Sequence, residues 1–374
     1  MHIVVAPDKF KGSLTAPEVC QAVARGIKRF DPRAEVTSIP LADGGEGTLD
    51  LLIPLLRLDT VRVTVNDPLF RPVEAYYGRK GSVAYIEMAK ASGLALLAED
   101  ERNALLTTSY GTGELIRHAI EHGAREIYVL IGGSATSDAG IGMAQALGYR
   151  FLDANGNALS PIGGELMNVA TINVDQSSVA IDDAVVRVIS DVDNPLYGPQ
   201  GAAHVYGPQK GATSEAVALL DQGLINITER MTEHTGRDAH TKPGAGAAGG
   251  IGWGAMVFLQ AKILPGIDTI MNLCEAHDAI RQADLVISGE GKVDQQTLHG
   301  KVIKGVSDAC QACGVPLGVI CGTLEADTAM LYQLGIWQAY AVRTEEMSLA
   351  EAMNRTEERV EALAYQMIEA FRKR

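Results

Sequence analysis

Residues 125–143, REIYVLIGGSATSDAGIGM, contain the feature that most constrains this chain. An apolar run over 127–131 leads into a turn rich in glycine and hydroxyl side chains, and a helical pattern rich in Ala and Gly begins near Ala139. A buried strand that enters a helix through a glycine turn presents backbone N–H groups beside the positive end of the helix dipole. Such a turn favours an anion, and phosphate is the anion expected here. The turn residues predicted to bind a phosphate or nucleotide are Gly132, Gly133, Ser134, Thr136 and Ser137.

The same order of elements recurs along the chain. Short β-branched runs end in loops that contain Gly, Asp, Ser or Glu, and helices follow most of these loops. The runs cover residues 3–6, 36–41, 185–190, 285–288 and 317–321. Strands that alternate with helices predict βαβ units on a largely parallel sheet, in which ligands bind at the carboxyl ends of the strands.

The middle of the chain differs from its two ends. Residues 60–88 are typical of three successive antiparallel strands, and regular β-α alternation returns after residue 266. The pattern predicts an α/β protein of two α/β domains. One is Rossmann- or flavodoxin-like with a largely parallel sheet, formed by 1–70 plus 266–374. The other, 71–265, is inserted into it and has a mixed sheet.

Charge and cysteine content exclude several functions. The net charge of −14 argues against binding to nucleic acid or to an anionic membrane, where a basic face is expected. No apolar stretch reaches the roughly 20 residues that cross a bilayer, and the first residues do not resemble a signal peptide. Five cysteines make a disulfide framework improbable, so a reducing cytoplasm is the expected compartment.

Three short motifs suggest other chemistries but lack the necessary context. The run 243–250 contains G-x-G-x-x-G, yet no strand pattern precedes it, so close packing or a second anion-binding turn is favoured over dinucleotide binding. His118 and His122 match an H-x-x-E-H zinc motif, but an apolar stripe on the same helix leaves both at its rim. Cys310 and Cys313 fall at the C-terminal end of a helix, where the dipole does not favour a thiolate.

Acidic loops follow several of the predicted strands. Asp191 and Asp193 leave a strand two residues apart, so their side chains point to the same side. Either could hold Mg²⁺ while the other orients or deprotonates a hydroxyl, or both could simply shape the Asn194-Pro195 turn. Converging carboxylates need compensation by a metal or by cations. The acidic residues and the nearby lysines are Asp43, Glu46, Asp138, Asp191, Asp193, Glu290, Asp294, Lys11, Lys210, Lys292 and Lys301.

Seven segments in order along the chain resemble the signatures of the bacterial glycerate kinases of the type-1 family. They are 7–14, 42–48, 132–142, 191–198, 207–212, 243–250 and 289–301. The resemblance implies ATP-dependent phosphorylation of D-glycerate with Mg²⁺, in an active site between two α/β domains. It leans toward 2-phosphoglycerate rather than 3-phosphoglycerate as the product.

The resemblance and the loop chemistry together assign roles to individual residues. Asp191 and Lys11 are expected to be catalytic, and Lys210 joins the nucleotide-binding group. Glycerate is assigned to Ser13, Asp43, Gly44, Gly45 and Glu46. The metal is assigned to Asp193, Glu290 and Asp294. Lys9 receives no role because relatives often carry Ser at that position.

Three other functions stay open at this point. The enzyme could phosphorylate another small hydroxy acid or a polyol. The chain could be a non-catalytic anion-binding protein with structural carboxylates, or an NAD-dependent oxidoreductase, which rests on the run 243–250 alone. We expect small-molecule partners, D-glycerate and ATP, with no nucleic acid and no membrane, and a monomer or homodimer.

Overall fold

The computed structural model describes residues 1–174, 184–298 and 302–374. The chain forms two compact units, one from Met1–Asp43 with Pro265–Arg374 and the other from Gly44–Leu264. Each unit has its own sheet and its own buried apolar core. That the two units are domains that fold separately stays a prediction.

The described elements are named in chain order. The strands are β1 (His2–Val5), β2 (Glu35–Ser38), β3 (Asp59–Asn66), β4 (Pro72–Lys80), β5 (Val83–Glu87), β6 (Glu126–Leu130), β7 (Tyr149–Leu152), β8 (Thr171–Val174), β9 (Val185–Ile189), β10 (Lys262–Leu264), β11 (Leu285–Ser288), β12 (Lys292–Val293), β13 (Leu317–Cys321), β14 (Thr323–Leu324) and β15 (Ile336–Ala341). The α-helices are α1 (Ala16–Phe30), α2 (Thr48–Leu56), α3 (Ala89–Ser92), α4 (Tyr110–Glu121), α5 (Ile141–Ala146), α6 (Ala202–Tyr206), α7 (Ser214–Thr235), α8 (Ala247–Phe258), α9 (Gly266–Leu273), α10 (Ala276–Arg281), α11 (Val302–Cys313), α12 (Thr328–Gln333), α13 (Leu349–Asn354) and α14 (Thr356–Arg372). None of the helices in the described part of the chain combines the length and apolar character needed to span a membrane.

The unit built from the two ends of the chain contains a parallel sheet. Its strands lie in the order β2-β1-β11-β13-β15, and every neighbouring pair is parallel. Counted within this five-stranded sheet, this is the 2-1-3-4-5 order of flavodoxin-like folds. The predicted fold class is confirmed for this unit. Strands β11 and β13 are buried along their whole length, which explains their uninterrupted apolar sequences.

The second unit contains a mixed sheet, as predicted. Its order is β10-β9-β6-β5-β4-β3, parallel from β10 to β5 and antiparallel from β5 to β3. The sequence pattern put residues up to 70 with the first unit. In the structure β3 pairs with β4 along its whole length and so belongs to this sheet. The unit therefore begins at Gly44, ahead of α2 and β3.

Some elements begin or end at other residues than the sequence pattern predicts. Helix α5 begins at Ile141 rather than near Ala139, because Ala139 and Gly140 have positive φ angles of 54° and 73°. Residues 155–183 are predicted to be irregular, but Thr171–Val174 pairs with β7. The C-terminal helix is divided at Arg355, which caps both α13 and α14.

Helices α1 and α14 approach each other closely in the first unit. Gly26 in α1 faces α14, and an ideal Cβ at this position would lie 2.2 Å from the carbonyl oxygen of Glu361 and 2.8 Å from the Cβ of Ala364. A capping box at Thr15 and Glu18 fixes the N-terminus of α1. The absence of a side chain at Gly26 sets the distance between the two helices.

We expect the substitution Gly26→Ala to destabilise the protein by about 1–3 kcal/mol through overpacking. In an exposed helix the same change would stabilise by about 1 kcal/mol, so the sign of the effect is diagnostic. Thermal and denaturant unfolding of the full chain would measure it. Gln21→Ala, at an exposed position of the same helix, is the control and should be nearly neutral. A Gly26→Ala variant more stable than the wild type would contradict the close approach.

Candidate functional site

The loop after β6, residues 132–138, is held from beneath by buried hydroxyl groups. The Thr107 hydroxyl donates to the carbonyl of Ala135 at 2.9 Å, and the Ala135 N–H donates to the Ser92 carbonyl at 2.9 Å. The Thr112 hydroxyl donates to the Ser92 hydroxyl at 2.8 Å. Sequence reasoning missed this layer. The run Thr107-Thr108-Ser109 ahead of a helix is the signal that could have revealed it.

Asp138 is the central acceptor of this arrangement and is 0% exposed. Its carboxylate accepts hydrogen bonds from the N–H and hydroxyl of Ser109 at 2.8 and 2.7 Å, and from the N–H groups of Gly140 and Gly142 at 3.1 and 3.2 Å. Burial raises the pKa of Asp138, and these donors oppose that rise. This internal carboxylate accepts two N–H groups at the beginning of α5, so in this structure those two groups are already hydrogen-bonded within the protein.

Lys210 lies under the same loop rather than on its surface. It is 2% exposed, and its ammonium nitrogen Nζ donates to the Ser134 hydroxyl at 2.7 Å and to the Thr136 carbonyl at 2.6 Å. Burial lowers the pKa of Lys210 from 10.5 to about 7, although the charge of Asp138 acts in the opposite direction. Lys210 therefore supports the loop from inside and is close to a protonation change at neutral pH.

Two hydroxyl groups of the loop are buried without a partner. Thr136 and Ser137 are 0% and 1% exposed, and within the described residues their oxygens Oγ1 and Oγ make no hydrogen bond. A buried hydroxyl without a partner costs about 1–3 kcal/mol. Such atoms fit a loop that makes further hydrogen bonds when a ligand with acceptor oxygens is bound.

The loop at residues 44–47 packs directly on the glycine turn. An ideal Cβ at Gly132 would lie 2.6 Å from the Cα of Gly45, and one at Gly133 would lie 3.3 Å from the Oε2 atom of Glu46. Gly133 has a φ of 77°, which few other residues adopt. The structure thus brings together two of the predicted groups, the assigned glycerate residues Gly45 and Glu46 and the assigned nucleotide residues Gly132 and Gly133.

The glycine run 243–250 serves close packing, the first of the two alternatives. An ideal Cβ at Gly249 would lie 1.9 Å from the carbonyl oxygen of Thr136, and one at Gly246 would lie 2.2 Å from that of Pro195. The Gly246 N–H also donates to the Asn194 carbonyl at 2.9 Å. The run therefore contacts both the loop at residues 132–138 and the turn that follows Asp191 and Asp193.

Asp191 and Asp193 are both exposed, with a half-buried valine between them. This alternation agrees with the expectation that the two carboxylates share one side. The loop begins directly after β9, where Ser190 still donates its N–H to the Leu264 carbonyl at 3.1 Å. Asp191 is therefore anchored through its backbone to the end of the mixed sheet.

In the first unit, the loop after β1 lies against the loop after β11. The Asp8 N–H donates to the Gly289 carbonyl at 2.8 Å, and an ideal Cβ at Gly291 would lie 3.2 Å from the backbone nitrogen of Lys11. Strands β1 and β11 are neighbours at the point where the strand order reverses, which is where doubly wound sheets bind ligands. The exposed side chain of Lys11 thus lies at the expected edge of the sheet.

Ser13 is engaged with the C-terminal helices. Its hydroxyl donates to the Thr356 hydroxyl at 2.7 Å, and the Met353 carbonyl is 3.2 Å away. Its single proton is therefore used inside the unit in this structure, where Ser13 supports the Lys11 loop. Its assignment to glycerate stays a prediction and would require this hydroxyl to change its acceptor.

The predicted metal ligands lie in different environments. Glu290 is 6% exposed and accepts a hydrogen bond from the Thr297 hydroxyl, whereas Asp294 pairs with Lys292 at 3.2 Å. Across the described ranges, no group of three or more His, Cys, Asp or Glu side chains is placed to hold a metal ion. Mg²⁺ in kinases usually has only one or two carboxylate ligands and completes its shell with phosphates and water. Lys301 lies outside the described residues.

The two other motifs have ordinary environments. His118 and His122 stack with ring centroids 3.9 Å apart, and His118 contacts the Tyr77 hydroxyl at 3.1 Å. Cys310 is buried and Cys313 exposed, and burial raises the pKa of Cys310 to about 12. All five cysteines are free thiols, in agreement with the absence of a disulfide framework.

We expect Lys210 to make stability depend on pH. Between about pH 7 and pH 10.5 the unfolded chain holds a proton on Lys210 that the folded chain lacks. Stability from this group is full above pH 10.5 and is lost as the pH falls toward 7. The Tm of the wild type minus the Tm of Lys210→Met should therefore become more positive from pH 7 to pH 10. Differential scanning calorimetry would measure this difference. A difference that does not vary with pH would contradict the lowered pKa.

Known proteins match this chain over nearly its whole length. The model of the glycerate kinase family matches residues 3–372. A glycerate kinase from Halalkalibacterium halodurans is 43% identical over 97% of this chain and 96% of its own length. The glycerate 2-kinase of Escherichia coli K12 is 42% identical over 94% of this chain and 93% of its own.

A solved structure has the same fold over the whole chain. A crystal structure described as that of a glycerate kinase 2 from Salmonella typhimurium LT2 superposes with a TM-score of 0.88 and 39% identity, covering 100% of this chain and 98% of the other. The relatives that these comparisons name as glycerate kinases are phosphotransferases with an alcohol group as acceptor. The agreement extends over both units and through every signature segment, so the chain belongs to the glycerate kinase family.

Proposed function

We propose that this enzyme transfers the γ-phosphoryl group of ATP to a hydroxyl of D-glycerate and forms 2-phosphoglycerate. The observation that carries the proposal is the 42% identity to a glycerate 2-kinase over 94% of the chain. The two sets of loops would contribute to one active site in the interdomain cleft that the family resemblance implies. We also propose a cytoplasmic monomer or homodimer, and the five free thiols support a reducing compartment.

The nucleotide phosphates are assigned to the glycine turn of the second unit. Its contribution would come from Gly132, Gly133 and the hydroxyls of Ser134, Thr136 and Ser137, with Lys210 beneath them. The unpartnered hydroxyls of Thr136 and Ser137 support this assignment, because each has a proton to donate to a phosphate oxygen. Both are enclosed in the free protein, so the assignment requires the turn to open when phosphate binds.

Glycerate is assigned to the loop that packs on this turn. Asp43, Gly44, Gly45 and Glu46 would bind the hydroxyl-rich end of the substrate, and Lys11 would neutralise its carboxylate or the transferring phosphoryl group. The contact of Gly45 and Glu46 with Gly132 and Gly133 supports the assignment, because the residues proposed for glycerate would then lie beside those proposed for ATP. Asp191 would accept the proton of the attacking hydroxyl.

The metal is assigned to Asp193, Glu290 and Asp294. Mg²⁺, when bound, would neutralise the charge on the phosphate oxygens. Carboxylates are the ligands that Mg²⁺ prefers, and one or two suffice when phosphates complete the shell. Because Asp294 already pairs with Lys292, its role as a ligand would require that ion pair to open.

Turnover with a panel of acceptors tests the proposed reaction. ADP release would be followed with D-glycerate, L-glycerate, other small hydroxy acids and polyols, each with Mg²⁺ and ATP. ³¹P NMR of the product distinguishes 2-phosphoglycerate from 3-phosphoglycerate. Faster turnover with another acceptor would assign that compound as the substrate instead of D-glycerate. Binding of ATP or glycerate without any turnover would favour the non-catalytic alternative.

Removal of the two buried hydroxyls tests the nucleotide assignment. The double variant Thr136→Val, Ser137→Ala deletes groups without partners, so we expect its Tm to be unchanged or higher. Its Kd for ATP should rise about tenfold, because two hydrogen bonds to phosphate are lost. Isothermal titration calorimetry would measure it. Thr228→Val, which deletes a buried hydroxyl bonded within α7, is the control. An unchanged Kd for ATP in the double variant would contradict the assignment of these two hydroxyls to the nucleotide phosphates.

The substitution Asp191→Asn tests the assigned base. It preserves shape and removes charge, so the variant should fold, bind ATP and lose about a hundredfold in kcat. Asp193→Asn is its matched partner, because both side chains are exposed on the same loop. Loss of turnover in Asp193→Asn but not in Asp191→Asn would exchange the two roles. Near-normal kcat in both variants would leave the loop with a structural role only.

A further inference from the structure

Glu87, the last residue of β5, has a buried carboxylate to which neither the sequence pattern nor the proposed reaction gives a role. It is 0% exposed. Its carboxylate oxygens accept hydrogen bonds from the backbone N–H groups of Gly47 at 3.0 Å and Leu49 at 2.9 Å. The first of these N–H groups belongs to the last residue of the loop at residues 44–47, and the second lies in the first turn of α2.

The beginning of α2 depends on this carboxylate. Gly47 precedes the helix with a φ of 87° and has no side chain to cap it. Helix N-termini leave backbone N–H groups without partners, and a carboxylate there also interacts favourably with the helix dipole. Glu87 supplies from a neighbouring strand the cap that the local sequence lacks.

The capped segment is the one that reaches the glycine turn. Gly45 and Glu46 precede Gly47 immediately, and both lie against Gly132 and Gly133. Glu87 is thus connected through one residue of backbone to the closest contact between the two loops. The Thr48 hydroxyl donates to the Gly45 carbonyl at 2.6 Å, but the N–H groups of Gly47 and Leu49 are bound by the Glu87 carboxylate and not by a cap from the N-cap residue itself.

We propose that Glu87 is a positioning residue for substrate binding, holding residues 44–47 on the glycine turn so that Gly45 and Glu46 are presented to D-glycerate. The inference rests on the proposed function, in which this loop binds glycerate. Glu87 itself touches no substrate. It acts through the two backbone N–H groups that its carboxylate accepts.

Glu87 can accept both N–H groups only while its carboxylate is ionised. A protonated carboxyl carries a donor on one oxygen and can no longer accept both N–H groups. Burial raises the pKa of Glu87, and the N–H groups of Gly47 and Leu49 and the charge of Lys90 oppose this rise, while Asp50 adds to it. Glycerate binding should therefore weaken as the pH falls, at a pH higher than an ordinary glutamate would give.

Glu87→Gln tests the inference on the full-length enzyme. We expect KM for D-glycerate to rise about tenfold, as for the loss of about 1.4 kcal/mol, with kcat and the KM for ATP much less affected. The part of the acidic decline of kcat/KM for glycerate that comes from Glu87 should disappear, so that the decline begins at a lower pH than in the wild type. Hydrogen–deuterium exchange at the amides of Gly47 and Leu49 should become faster. Should this variant fail to fold, Glu87→Asp keeps the charge but shortens the reach and should raise the same KM.

A matched control is available in the same unit. Asp153 also accepts two backbone N–H groups, those of Asn155 and Asn157, both at 2.8 Å, in the hairpin of β7 and β8. Asp153→Asn should leave both KM values and the pH profile unchanged. Faster exchange at Gly47 and Leu49 with normal KM and pH profile would make Glu87 a structural cap and overturn the inference. Absence of glycerate turnover in the wild type would instead contradict the proposed function.

Discussion

The buried carboxylate of Asp138 is the interaction on which the candidate site of the second unit depends. An ionised carboxylate away from water is very costly unless donors surround it, and here Ser109, Gly140 and Gly142 supply them. Its bonds join the beginning of α4, the glycine loop and the beginning of α5. These bonds fix the loop in the structure described here, and Lys210 and the buried threonine and serine hydroxyls complete its support.

Close backbone approach is the second constraint. The glycine loop is contacted by Gly45 on one side and by Gly249 on another, at distances that no Cβ would permit. Gly246 makes the same kind of contact with the turn after Asp191 and Asp193. Segments from distant parts of the sequence can therefore meet at the loop of residues 132–138. In a chain with 40 glycines, this candidate site is built largely by close approach of the backbone.

In the first unit, the strand order of the sheet, rather than close approach of glycines, determines which loops are neighbours. Its 2-1-3-4-5 strand order puts the loops after β1 and β11 side by side, and their backbones bond at Asp8 and Gly289. Ser13 then ties the Lys11 loop to the C-terminal helices through Thr356. The last helices of the chain therefore support a loop near its beginning, in keeping with a family match that extends over nearly all of the sequence.

The sequence by itself determined the fold class, the alternation of strands and helices, the mixed character of the inserted sheet and the family. These follow from local patterns, namely apolar periodicity, turn residues and long signature segments, which are readable one stretch at a time. The same patterns found Gly132, Gly133 and Asp191 at strand ends. Local patterns did not place β3 in the second sheet, because pairing with β4 decides that.

Only the tertiary structure decided what the polar residues contact. Asp138 is buried and caps α5, Lys210 lies beneath the loop at residues 132–138, and Ser13 bonds to α14. The sequence pattern instead predicts that all three bind ligands or neutralise charge. Glu87 gave no local signal, since a glutamate at the end of an apolar strand looks the same whether its carboxylate faces solvent or caps a distant helix. Hydrogen bonds between residues 29 to 343 positions apart depend on how strands and helices pack, and that information is not contained in any single segment.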